Sequence, residues 1–131
     1  MKLHLSGDLH LSHANILRYC NRPWLRKSDL NASGNWKNKE IALERVLQMN
    51  KDLIKGFNSV LKEDDFCIHV GDYCFRNSPG GKAGEGEPNT AYNYIKQFKG
   101  IWTFIKGNHD GNNSLKTKIT SLVIRFGQLS Y

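Results

Sequence analysis

Apolar and polar positions along the chain change rhythm several times. Residues 3–7, "LHLSG", alternate briefly before a glycine and predict a first strand, whose end delivers Asp8 and His10. Residues 13–20, "HANILRYC", predict a short helix stopped by Pro23 in "NRPW". From about Lys39 to Leu61, residues such as Ile41, Val46, Leu47, Leu53, Ile54, Phe57 and Leu61 recur at helical intervals, predicting one long helix with a weak point near Gly56. Residues 66–70 then form an unbroken apolar run ending at Gly71 and Asp72, as a strand buried on both faces would. The Gly- and Pro-rich residues 76–89 predict a surface loop, residues 90–99 a helix, residues 100–107 a third strand, and "TSLVIRF", residues 120–126, a fourth.

The order β-α-β-α-β places the chain in the α/β class. Right-handed crossovers make successive strands parallel neighbours and bring their carboxyl ends to one edge of the sheet. Residues 1–131 read as a single domain without internal repeats, and a chain of this length can bury roughly two-thirds of its unfolded surface.

Three polar clusters fall on that edge: Asp8 with His10, Gly71 with Asp72, and Gly107-Asn108-His109-Asp110. An Asp after one strand is ordinarily a turn residue or a helix cap. Three such clusters after three successive strands are a different matter. Carboxylate, imidazole and amide donors together suit divalent ions of intermediate hardness, namely Mn, Fe, Zn or Ni. A carboxylate can bridge two such ions, and glycines beside it allow tight turns and close approach of substrate.

Charge narrows the partners without choosing among them. Lys and Arg number 19 against 12 acids, for a formal +7 and a pI near 9.4, which favours phosphate esters, nucleic acid or acidic surfaces. Cys20, Cys67 and Cys74 contain no CxxC pair and leave an odd thiol, so a disulfide scaffold is excluded and a reducing, cytoplasmic location is expected. No apolar stretch reaches the length of a signal peptide or membrane span, so no membrane partner is expected. Gly81-Lys82 is followed by Ala83 where a phosphate-cradling loop needs Ser or Thr, which argues against a nucleotide P-loop.

The DxH, GD and GNHD set, in this order on this scaffold, resembles the calcineurin-like metallophosphoesterase family, and "SGDLHLSHANILRYCNRPW" is similar to the start of its small bacterial and phage-type members. The resemblance implies the N-terminal β-α-β-α-β portion of an αββα sandwich, with a mainly parallel sheet and flanking helices. It implies one or two divalent ions and hydrolysis of a phosphomonoester or phosphodiester by metal-activated water. Matched residue by residue, it places Asp8 and His10 on the first metal, Asp72 as the bridge and Asn108 on the second. His109 then contacts the phosphate and protonates the leaving oxygen, with Asp110 orienting it from behind.

Family members continue with a further His-containing segment and a GHxH motif, whereas no histidine follows His109 here. By that pattern the first metal keeps Asp8, His10 and Asp72, and the second keeps Asp72 and Asn108. The expectation is a partial domain. A truncated product is favoured, beside a chain completed by a second polypeptide or another copy of itself, and a natural short form with one weak metal. A sheet lacking its packing partner should expose apolar surface, which makes a homo-oligomer the expected consequence.

Other residues have narrower expectations. His13 is a candidate substrate contact, helix-start partner or replacement ligand, and Arg76, close behind the Asp72 turn, is a candidate substrate contact. Arg22 and Lys82 could also steer phosphate. His4 and His69 lie inside strands and should be structural, and Cys67 and Cys74 should be buried thiols. The rival to an enzyme is a catalytically silent module on the same fold, binding nucleic acid or a protein through its basic surface. Trp24, Trp36, Tyr92, Tyr94 and Trp102 would be available for stacking in that case.

Overall fold

The computed structural model describes residues 1–74, 91–108 and Asp110. The element order is β1 (Leu3–Ser6), α1 (Ala14–Tyr19), a 3-10 turn at Lys27–Asp29, α2 (Lys39–Val60), β2 (Phe66–His69), α3 (Ala91–Ile95) and β3 (Ile101–Phe104). The strands form one parallel sheet in the order β1-β2-β3, an α/β arrangement. The predicted loop at 76–89 and strand at 120–126 lie outside the described residues.

Helix α2 starts where Asn38 accepts a hydrogen bond from the Ile41 amide at 2.8 Å, an N-cap that satisfies one of the donors a helix start leaves open. It runs unbroken through Gly56. Ala42, Val46, Met49 and Asn50 are buried on one stripe, where Ala42, Val46 and Met49 pack against Ala14, Ile16 and Leu17 of α1. Farther along the same helix, Leu53, Ile54 and Phe57 pack into a second cluster with Leu9, Leu11, Tyr73, Cys74, Tyr94, Phe98 and the β3 rings Trp102 and Phe104. One long amphipathic helix thus joins both cores. Tyr73 and Phe104 sit with ring centroids 4.7 Å apart, and Phe98 and Trp102 4.8 Å apart.

The register explains the sheet's two faces. His4, Cys67 and Trp102 align across the strands, as do Ser6, His69 and Phe104, and on this face Cys67 and His69 are fully buried under the helices. Leu3, Phe66 and Ile101 align on the other face, and all three are exposed, as are Leu5 and Val70. The expectation that β2 is buried on both faces is therefore corrected. α2 and α3 both pack on the side of Trp102 and Phe104, so the apolar run 66–70 has one covered face among the described residues.

Helix α3 is also shorter than the predicted 90–99. The Gln97 and Phe98 amides bond to the Tyr94 and Ile95 carbonyls in tight turns, and Gly100, at φ +89°, turns the chain into β3. Cys67 and Cys74 are buried, as expected, and Cys20 is exposed. Burial pushes the Cys67 thiol up to about 11, so it stays protonated and packs as a small apolar group.

Candidate metal centre

Past the end of β1 the backbone leaves ordinary strand geometry. Asp8, His10 and Ser12 take φ values of +51°, +53° and +62°, and Asp72, past the end of β2, takes +54°. Non-glycine residues in the left-handed region cost of order 1–3 kcal/mol each and persist where the surroundings over-determine them. Here the two turns are laced together: Asp8, His10 and Leu11 donate their amides to the carbonyls of Gly71, Asp72 and Tyr73 at 3.0, 2.9 and 2.9 Å. Arg22 adds a clamp, donating to the Asp8 and Leu9 carbonyls at 2.7 and 2.9 Å. That guanidinium ties down the backbone of the Asp8 turn, a structural role its sequence position did not announce. Ser12 is fixed from the helix side, with its amide bonded to Asn50 Oδ1 at 3.0 Å and its hydroxyl in contact with Tyr94.

The same lacing brings the side chains together. Asp8, His10 and Asp72 each offer one ligand atom, and these atoms all lie within 4.8 Å of one another. His10 Nε2 is 3.8 Å from both Asp8 Oδ1 and Asp72 Oδ2. Two donors each about 2.1 Å from a shared ion can be at most about 4.2 Å apart, so each imidazole–carboxylate spacing accommodates a cation between the pair. The His10 ring is buried and the Asp8 carboxylate is 79% exposed, so the group has a firm floor and an open side. Two carboxylates and one imidazole fit a divalent transition ion.

Asp110 ties in the third cluster. Its carboxylate accepts backbone N–H bonds from Asp72 at 2.7 Å, Tyr73 at 3.0 Å, Cys74 at 3.2 Å and Gly107 at 2.9 Å. A buried carboxylate with this many donors acts as a rivet, here between the Asp72 turn and the loop after β3. The glycines on either side are required by that proximity. A Cβ on Gly107 would overlap the Asp72 carboxylate and amide, and one on Gly71, where φ is +105°, would sit 3.1 Å from the Gly107 Cα. Asn108 directly follows Gly107 and is exposed. His109, and with it the expected contact to Asp110, lies outside the described residues, as does Arg76.

His13 is buried. Its Nδ1 lies 3.2 Å from His10 Nδ1, and its ring meets Tyr19 edge-on. The structure therefore places it behind His10, within the floor. His69 is fully buried beneath the site, and its two ring nitrogens and the Tyr73 hydroxyl have no hydrogen-bond partner among the described residues. Burial lowers the His69 pKa to about 4 against the opposing pull of Asp110, Asp8 and Asp72, so the ring is neutral at pH 7. His4 is also structural, with Nε2 3.2 Å from Asp65.

A cavity of about 470 Å³ lies elsewhere, lined by residues including Leu5, Trp24, Leu53, Phe57 and Val60. It is apolar, and two of its polar groups, Trp24 Nε1 and His4 Nε2, are already bonded to Asp52 and Asp65. No helix among the described residues is long and apolar enough to cross a membrane.

The chain is 32% identical over 109 residues to an uncharacterized protein of Methanocaldococcus jannaschii, an alignment covering 83% of this chain and 47% of that protein. A crystal structure of a protein of unknown function from Aquifex aeolicus superposes with a TM-score of 0.53 at 19% identity, covering 92% of this chain and 50% of that one, which shows a shared fold. The chain thus spans about half the length of the relatives it matches. The family model for calcineurin-like phosphoesterases matches residues 1–129, and the chain belongs to that family.

Proposed function

We propose that the chain is a metal-dependent phosphoesterase domain that hydrolyses phosphomonoester or phosphodiester bonds, with Asp8, His10 and Asp72 holding one divalent ion of the Mn, Fe, Zn or Ni group. The observation that carries this reading is the convergence of those ligand atoms within 4.8 Å, on a strained and heavily clamped pair of turns. When bound, such an ion supplies positive charge to a phosphoryl oxygen and lowers the pKa of a water. Asp8 and Asp72 contribute the negative charge that holds it, and His10 fixes its position from the buried side. Asn108 and Asp72 would together hold a second ion. His109 serves as the residue that contacts the phosphate and moves a proton to the leaving oxygen, a role that requires the adjacent Asp110 rivet to keep its loop at the site.

The basic surface suits a polyanionic substrate and is also the support for a silent binding module. The stacking argument for that rival weakens at two positions, since Tyr94 is buried and the Trp102 ring packs against Phe57, Phe98 and Phe104. Cytoplasmic location and a phosphate-ester partner complete the proposal.

Hydrolysis of a chromogenic phosphodiester in the presence of Mn²⁺ tests it. Asp72→Asn should reduce turnover by at least about a hundredfold, because the carboxylate charge opposing the ion is gone. Equal turnover in the variant and the parent would overturn the assignment.

A further inference from the structure

His13 occupies the N-cap position of α1, yet its side chain makes no capping hydrogen bond. The ring is turned inward, and its Nδ1 lies 3.2 Å from His10 Nδ1. Its backbone is pinned as well, through an amide bond to the His10 carbonyl at 3.1 Å. The residue is 4% exposed, so it offers little surface to a substrate.

Two ring nitrogens at that distance can share one proton, and which ring carries it is decided at the far side of His10. His10 Nε2 is the atom that faces both carboxylates, 3.8 Å from Asp8 and 3.8 Å from Asp72. If Nε2 gives its lone pair to a cation, the neutral ring keeps its single proton on Nδ1. Nδ1 must then donate, and the atom opposite it is His13 Nδ1, which must present a lone pair.

We propose that His13 is a positioning residue for the metal centre: it accepts the Nδ1–H of His10, and so holds that ring in the tautomer and rotation in which Nε2 points at the cation. Metal-bound histidines ordinarily hand this second proton to a carboxylate, a carbonyl or water. Here a second imidazole takes that place, and its own proton sits on Nε2. The inference rests on the reading of Asp8, His10 and Asp72 as ligands.

The test uses Zn²⁺ alone as probe, because it is diamagnetic. In the long-range ¹H–¹⁵N spectrum of the zinc-loaded, ¹⁵N-histidine-labelled chain, His10 should carry its proton on Nδ1 and His13 should carry its proton on Nε2. In calorimetric titration, His13→Phe, similar in bulk but without an acceptor, should weaken Zn²⁺ binding about 10- to 100-fold. His13→Asn, whose Oδ1 stands near the place of Nδ1, should recover most of the loss. A parent chain that binds no Zn²⁺, or an Asp72→Asn variant that binds as well as the parent, overturns the metal centre and this inference together. If Asp72→Asn loses the ion but His13→Phe binds within about twofold of the parent, the role of His13 alone fails. A His13 ring protonated at Nδ1 in the zinc-loaded parent has the same meaning, and that measurement needs no variant to fold.

Discussion

Strand β2 carries an aspartate just beyond each end, and the two are used in opposite ways. Asp65, before the strand, accepts the amides of Lys2 at 2.7 Å and Lys62 at 3.0 Å and meets His4 Nε2 at 3.2 Å. Backbone donors, the Lys62 amide foremost, hold its carboxyl down at about 2. Asp72, after the strand, sits in a left-handed turn and faces His10 Nε2 together with Asp8. One carboxylate is consumed by backbone donors, and the other is turned toward His10. What separates them is the supply of backbone N–H groups, since on the Asp72 turn those donors go to Asp110 instead. A structural carboxylate therefore stands directly behind the candidate functional one.

Removing Asp110 should break this contrast most severely. Asp110→Ala leaves the amides of Asp72, Tyr73, Cys74 and Gly107 without their acceptor, and urea denaturation should show a loss of more than about 3 kcal/mol. Cation binding should disappear with it. Next in size is the buried His69. With its pKa near 4 in the folded chain against an ordinary value of 6.5, the unfolded chain binds more protons between those values. Stability should therefore fall as pH drops from about 6.5 to 4, by on the order of 3 kcal/mol. His69→Phe, which keeps the aromatic packing with Tyr73 and Phe104, should lose this pH-dependent component, as denaturation of both proteins at pH 7 and pH 4.5 would reveal.

Gly107→Ala probes the close approach of the two turns. Its Cβ would displace the Asp72 carboxylate and amide, so a destabilisation of about 1–3 kcal/mol and a weaker affinity for Mn²⁺ should appear together. At the opposite end of β2 the effect is confined to acid. Asp65 has a depressed pKa, so its contribution is fully present above the unfolded value near 3.8 and is lost as pH falls toward 2. Asp65→Asn should lower the thermal midpoint at neutral pH, converge on the parent's midpoint near pH 2, and leave cation binding at neutral pH unchanged.

These contrasts also mark how far the sequence could be read. The three strands, the long helix and the gathering of Asp8, His10 and Asp72 at one edge follow from periodicity and from the handedness of crossovers, both local or topological rules. That the sheet has one covered face among the described residues did not follow, because an unbroken apolar run looks the same whether one side or both are packed. Arg22 was readable as a charge and Asp110 as a partner for His109, but their backbone-clamping roles depend on which amides and carbonyls a turn leaves unpaired. No spacing rule encodes that. His13 carried a usable signal, an imidazole three residues after His10 at a helix start, but its inward rotation is decided by packing against Tyr19 and His10.

The account stands on one cation held between two turns that are distant in the chain, and crystals grown with Mn²⁺ would test that most directly through anomalous scattering. The predicted result is a strong peak about 2.0–2.3 Å from His10 Nε2 and from one oxygen each of Asp8 and Asp72. A map with no peak there, or with manganese bound only at other residues, would contradict it.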